Sequence, residues 1–193
     1  MRIVGGACSK RALKVPRKGV RPTKAIVREA IFNVIGNRIN NARVLDIFAG
    51  SGALGIESLS RGAKHCTFVE KDPKILRDNI TALSFEKNVT VLAHDFRRAL
   101  RLVRKYTFDV IFADPPYNKK LAQIAVNLVS KYDLLSDNGL IIIEHSPREK
   151  IAVPETLSTC RERKYGDTTI SILEHRTYRK ENPQKTHAQK TQK

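Results

Sequence analysis

From residue 42 onward, short unbroken apolar runs alternate with segments whose apolar residues recur every three or four positions. The runs occupy residues 44–48, 65–70, 89–93, 108–113 and 140–144. The periodic segments between them cover 54–59, 73–83, 96–103 and 121–129. Leu121, Ile124, Ala125 and Leu128 mark one face of the last of these, and Ile75, Leu76, Ile80 and Leu83 one face of the second. Pro73 suits the first helical position, where no N–H is needed. Upstream, Ile26, Ala30, Ile31, Val34 and Ile35 predict a helix capped by Thr23 and stopped by Gly36. Apolar strands alternating with helices predict a parallel sheet covered on both faces. Residues 159–165 and 168–173 change the pattern: joined at Gly166-Asp167, they predict an antiparallel hairpin at the end of the sheet. The expectation is an α/β fold with a mostly parallel seven-stranded sheet.

Charge changes the picture. The chain of 193 residues carries a formal net charge of +17. Arg2, Lys10, Arg11, Lys14, Arg17, Lys18, Arg21 and Lys24 meet no acid in the first 24 residues. After Glu174, Arg176, Arg179, Lys180, Lys185, Lys190 and Lys193 face only Glu181. Such an excess points to a polyanion, with nucleic acid ahead of an anionic membrane because neither end has a bulky apolar helix face. Three segments follow: a basic, mostly extended arm and helix over 1–40 that serves the substrate, a catalytic domain over 41–176, and a basic tail over 177–193 that polarity predicts to be disordered. No run reaches the roughly 18 apolar residues of a membrane span, and the N-terminus lacks a signal-peptide core, so a cytoplasmic monomer is expected. Cys8, Cys66 and Cys160 show no metal-ligand spacing; they read as buried or incidental thiols, and no metal is expected.

Two turns carry the chemistry. Asp46-Ile47-Phe48-Ala49-Gly50-Ser51-Gly52-Ala53-Leu54-Gly55 closes the first strand and opens a helix. It matches G-x-G-x-x-G, the dinucleotide fingerprint. Asp46 inside the turn argues against a pyrophosphate and for the cationic end of S-adenosylmethionine, which a carboxylate attracts. Glu70 ends the second strand about 20 residues past the glycines and suits the ribose hydroxyls. Asp95, at the end of the third strand, either accepts from the adenine amine with Phe96 packed on the ring or caps the next helix. The second turn is Asp114-Pro115-Pro116-Tyr117, after the apolar run 108–113. Its prolines fix φ and remove N–H donors. An acid, a carbonyl and an aromatic ring held in one rigid turn suit a flat base with an exocyclic amine: Asp114 and the Pro115 carbonyl accept its two N–H bonds, and Tyr117 stacks on its face.

Together these residues resemble the RsmD-type family, bacterial methyltransferases of guanine N2 in 16S ribosomal RNA. The resemblance runs from Met1-Arg2-Ile3-Val4-Gly5-Gly6, through Arg21-Pro22-Thr23 with Val27-Arg28-Glu29 and Phe32-Asn33, to Ser60-Arg61-Gly62-Ala63, the proline turn and the Tyr165-Gly166-Asp167-Thr168 hairpin. It departs at Ala7-Cys8-Ser9-Lys10, where the family often has an aromatic and a further arginine. The resemblance implies a Rossmann-like class I methyltransferase fold and S-adenosylmethionine as cofactor, held by Asp46, Gly50, Ser51, Gly52, Glu70, Asp95, Phe96 and Asp114. It implies catalysis by Asp114, Pro115 and Tyr117, and ribosomal RNA or a small-subunit assembly intermediate as partner. Arg2, Arg11, Arg21, Thr23, Lys24 and Arg28 are the candidate RNA contacts. The rivals are an adenine-N6 methyltransferase, a non-catalytic nucleic-acid-binding module and, more distantly, a dehydrogenase.

Overall fold

The structure is a computed structural model and describes residues 1–15, 25–116 and 120–176. Among these residues, five α-helices and seven strands follow one another as α1 (Ala25–Ile35), β1 (Arg43–Asp46), α2 (Ala53–Ser60), β2 (His65–Val69), α3 (Lys74–Ala82), β3 (Val89–Leu92), α4 (Phe96–Leu102), β4 (Phe108–Ala113), α5 (Leu121–Lys131), β5 (Leu135–His145), β6 (Leu157–Tyr165) and β7 (Thr168–His175). They form one sheet in the order β3-β2-β1-β4-β5-β7-β6. Strands β1 to β5 pair in parallel, and β7 pairs antiparallel with both β5 and β6. The parallel sheet with its antiparallel hairpin is the expected architecture.

Strand pleating explains the continuous apolar runs. Val44, Phe112 and Ile142 join the core beneath α1, α2 and α3, while their neighbours Leu45, Ile111 and Ile141 join the core beneath α4 and α5. The central strands β1, β4 and β5 therefore feed two cores, which is why their apolar runs are nearly unbroken. Burying a side chain such as Phe68 or Phe112, both at 0% exposure, contributes roughly 1.5–3 kcal/mol.

Element ends differ from the sequence pattern where hydrogen bonding overrides hydrophobicity. β1 stops at Asp46 rather than continuing to residue 48, because Ile47 N–H donates to the Phe112 carbonyl and Ala49 N–H to that of Val69 as the chain turns. β5 begins at Leu135, not near residue 140: the polar stretch 136–139 reads as a loop but runs beside the start of β4, where Ser136 Oγ donates to Asp109 at 3.0 Å. Pro73 stands at the N-cap of α3, one position before the helix.

The N-terminus differs most. Instead of a mostly extended arm, residues 1–15 fold back on themselves. Arg2 and Ala12 form an antiparallel bridge, Ile3 N–H donates to the Arg11 carbonyl, and Lys10 N–H donates to that of Ile3. Ile3 and Leu13, which belong to no periodic apolar run in this basic stretch, are both buried. Glu57 on α2 fixes this hairpin: its carboxylate, 1% exposed, accepts from Val4 N–H at 2.8 Å and Gly5 N–H at 2.7 Å, and pairs with Arg61 Nε at 2.8 Å. Glu57→Ala would strand those donors in a dry site, so urea unfolding should report a loss of about 2–4 kcal/mol; a loss below about 0.5 kcal/mol would mean the hairpin docks without it.

Candidate functional site at the carboxyl ends of the parallel strands

β1 lies between β2 and β4 in parallel register, with Asp46 level with Phe68 on one side and Phe112 on the other. The turns leaving β1, β2 and β4 therefore emerge side by side at one end of the sheet. Asp46, the glycine turn, Glu70 and Asp114-Pro115 are brought together by this register. Open α/β sheets bind ligands at this end.

The first turn is shaped for close approach. Gly50 and Gly52 adopt φ of 54° and 85°. Nothing lies within 4 Å of where a Gly50 Cβ would stand, so the backbone there faces open space. At Gly55 a Cβ would fall 2.2 Å from Phe68 Cε1 and 2.6 Å from Cys66 Sγ; the missing side chain lets α2 sit tightly on β2. Ser51 is buried, and its carbonyl accepts from Asn79 Nδ2 at 2.8 Å.

Asp46 is 2% exposed and accepts from Gly55 N–H at 3.1 Å. Burial raises its carboxyl to about 7; the Gly55 hydrogen bond opposes that rise, and the charge of Glu70 adds to it. Glu70 is itself oriented: Gly50 N–H donates to Oε2 at 2.8 Å and Asp72 N–H to Oε1 at 3.2 Å. One carboxylate thus braces the glycine turn while keeping lone pairs for a further donor.

Asp95 caps α4, accepting from Arg97 N–H at 3.0 Å, and pairs with Lys71 Nζ at 3.1 Å. Slight desolvation works to raise its carboxyl, but the hydrogen bonds from Lys71 and Arg97 and their positive charges outweigh it and hold the group below its usual value. Phe96 is not an open face for a ligand. It is 5% exposed, packed 4.8 Å from the Phe48 ring centroid, with the Arg97 guanidinium 4.6 Å from its own. α4 turns that ring inward, so most of its surface packs against the core.

Asp114 is half-buried, Pro115 buried and Pro116 exposed at the end of β4. Tyr117 lies outside the described residues, as do Arg21, Thr23 and Lys24. Of the other candidate RNA contacts, Arg2 and Arg11 are exposed on the hairpin, donating to the carbonyls of Lys10 and Ala82. Arg28 corrects the expectation: it is 2% exposed, donates to the Arg2 carbonyl at 2.7 Å and meets Met1 Sδ, so it holds the hairpin onto α1 instead of facing solvent.

Sequence reasoning missed Asn79. It lies on the buried stripe of α3 with Leu76 and Ile80. A polar residue in an apolar stripe signals a satisfied partner, and here there are three. Besides Ser51, it exchanges hydrogen bonds with Lys14 N–H at 2.8 Å and the Lys14 carbonyl at 2.9 Å. The glycine turn and the end of the hairpin therefore share one clamp.

The family model described as Conserved hypothetical protein 95 matches residues 1–174. The chain belongs to this family, the RsmD family. A relative named Ribosomal RNA small subunit methyltransferase D, from Escherichia coli strain K12, is 35% identical over 177 residues, which span 90% of this chain and 89% of the relative. The solved structure of yhhF from Escherichia coli superposes with a TM-score of 0.81 at 34% identity, covering 91% of this chain and 97% of that one. A Thermus thermophilus 16S rRNA N2 G1207 methyltransferase, solved with AdoMet and guanosine, shares the fold at a TM-score of 0.65 and 22% identity, over 83% of this chain and 44% of its own. The Rossmann-like class I methyltransferase fold is thereby established for this RsmD-family chain.

Asp46 carries a consequence for pH. Its folded value of about 7 exceeds its ordinary 3.8. The native state then holds a proton that the unfolded chain releases, so the ligand-free protein should lose stability as pH rises between those two values. Asp46→Asn should flatten that slope and raise ligand-free stability at neutral pH by about 1–4 kcal/mol, read by denaturant unfolding at several pH values. An unchanged slope would mean Asp46 is already ionised without cost.

Proposed function

We propose that this chain transfers a methyl group from S-adenosylmethionine to the exocyclic N2 amine of a guanine in 16S ribosomal RNA. The observation that carries the reading is the pairing of β1 with β4, which sets the Asp46 glycine turn beside the Asp114-Pro115 turn. Family membership and the printed name of the Escherichia coli relative support ribosomal RNA as substrate. The Thermus enzyme with guanosine supports the N2 amine.

The residues fit the cofactor. Asp46 is a buried carboxylate whose ionisation calls for a cation, Gly50 exposes backbone to open space, and Glu70 offers braced acceptors suited to vicinal hydroxyls. Asp46 would neutralise the ammonium and sulfonium end, Glu70 would hold the ribose, and the Asp95 end of β3 would border the adenine. When bound, S-adenosylmethionine supplies an electrophilic methyl group on a sulfonium.

A guanine N2 amine is a poor nucleophile because its lone pair is conjugated with the ring. The Asp114 carboxylate and Pro115 carbonyl accept its two N–H bonds, favour the pyramidal amine and aim the lone pair out of the ring plane. Positioning and preorganised charge supply most of the rate. Asp114 need not take a proton first, because the amine turns acidic only as the new C–N bond forms. Tyr117 would stack on the extruded base.

Methylation of 16S ribosomal RNA from cells lacking the protein, followed by nucleoside digestion and mass spectrometry, should yield N2-methylguanine; N6-methyladenine would transfer the same turn to the rival chemistry. Asp114→Ala should lower kcat by about a hundred-fold or more while leaving cofactor affinity within a few-fold. Near-wild-type turnover in that variant would reject the assigned role.

A further inference from the structure

The face of the sheet opposite the N-terminal hairpin carries a second basic surface. Between Asp95 and Asp109 the chain has no acid, yet it holds Arg97, Arg98, Arg101, Arg104 and Lys105. All five are exposed. Arg97 is engaged with Asp95 and the Phe96 ring. The other four make no ion pair among the described residues. Helical spacing explains their alignment: Arg98, Arg101 and Lys105 recur three and four residues apart along one side of α4 and the turn after it, while Ala99, Leu100 and Val103 pack inward.

Apolar exposure falls in the same place. Leu102 is 53% and Tyr106 63% exposed, two of three large hydrophobic side chains left so open among the described residues. A merely solubilising helix has no use for an uncovered phenol ring beside four unpaired cations. Cations that follow a backbone, interleaved with a ring on which a base can stack, are the make-up of a single-stranded nucleic-acid surface.

We propose that α4 and the turn through Tyr106 form a second RNA-binding surface. Arg98, Arg101, Arg104 and Lys105 meet phosphates, and Tyr106 stacks on an unpaired base. α4 begins at the carboxyl end of β3, on the rim of the candidate site, and packs on the face away from Ile3 and Leu13. The proposal rests on the ribosomal RNA substrate proposed above.

The test uses the full chain and purified 16S ribosomal RNA across a salt series. Changing Arg98, Arg101, Arg104 and Lys105 together to Gln should weaken binding about ten-fold or more at physiological salt and reduce the log–log salt slope by about 0.7 for each phosphate no longer neutralised. Tyr106→Ala should weaken binding about five-fold or more with the slope unchanged, since it removes stacking and no charge. Affinity for S-adenosylhomocysteine, measured by calorimetry, should stay at the wild-type value in both variants. If the wild-type protein methylates this RNA while both variants keep its affinity and slope, the surface is overturned and the substrate stands. If the wild-type protein neither binds nor methylates this RNA, whether purified or held in small-subunit particles from cells lacking the protein, both readings fall.

Discussion

The structure depends on β1 being hydrogen-bonded on both edges, to β2 and to β4, in parallel. Parallel pairing forces the three strands to end at the same side of the sheet. It also forces each connection back through a helix, so those ends are left to short turns. Glu70, the glycine turn and Asp114-Pro115 come from positions up to 69 residues apart between Asp46 and Pro115, yet a single register makes them neighbours. Shifting that register by one residue would send Asp46 to the opposite face and separate it from Gly55.

The site is built from acids at a place where a protein this basic carries few. Asp46 lies buried at a cost in ligand-free stability, and Glu70 stands close enough to raise that cost. Such an arrangement favours a cationic ligand, because neutralising the pair recovers what burial takes away. Outside this acidic site, exposed cations lie on both faces of the sheet: Arg2 on the hairpin side, and Arg98, Arg101, Arg104 and Lys105, which make no ion pair among the described residues, on the α4 side.

The hairpin, the glycine turn and α3 form one mechanical unit. Glu57 holds residues 4 and 5, Arg28 holds residue 2, and Asn79 ties residue 14 to Ser51. Each is a buried polar group that bonds distant backbone groups, and such groups specify one geometry because any alternative leaves them unpaired. Tightening the glycine turn around a ligand would therefore be felt at Lys14, where the hairpin ends.

The strands, the helices, the sheet class and the two turns were legible in the residues themselves, because periodicity is local and Gly, Pro and Asp at strand ends have few other uses. The docking of residues 1–15 was not: Ile3 and Leu13 belong to no periodic apolar run, and only the surface they cover reveals them as core. Likewise Arg28 reads as a free cation on a helix and Phe96 as a ring beside an acid; tertiary packing buried both, since α1 closes over the hairpin and α4 turns its first residue toward Phe48. Sequence settles what a neighbour along the chain can decide. Burial and the pairing of distant polar groups belong to the folded arrangement, because their energies depend on surfaces that meet only after the sheet has formed.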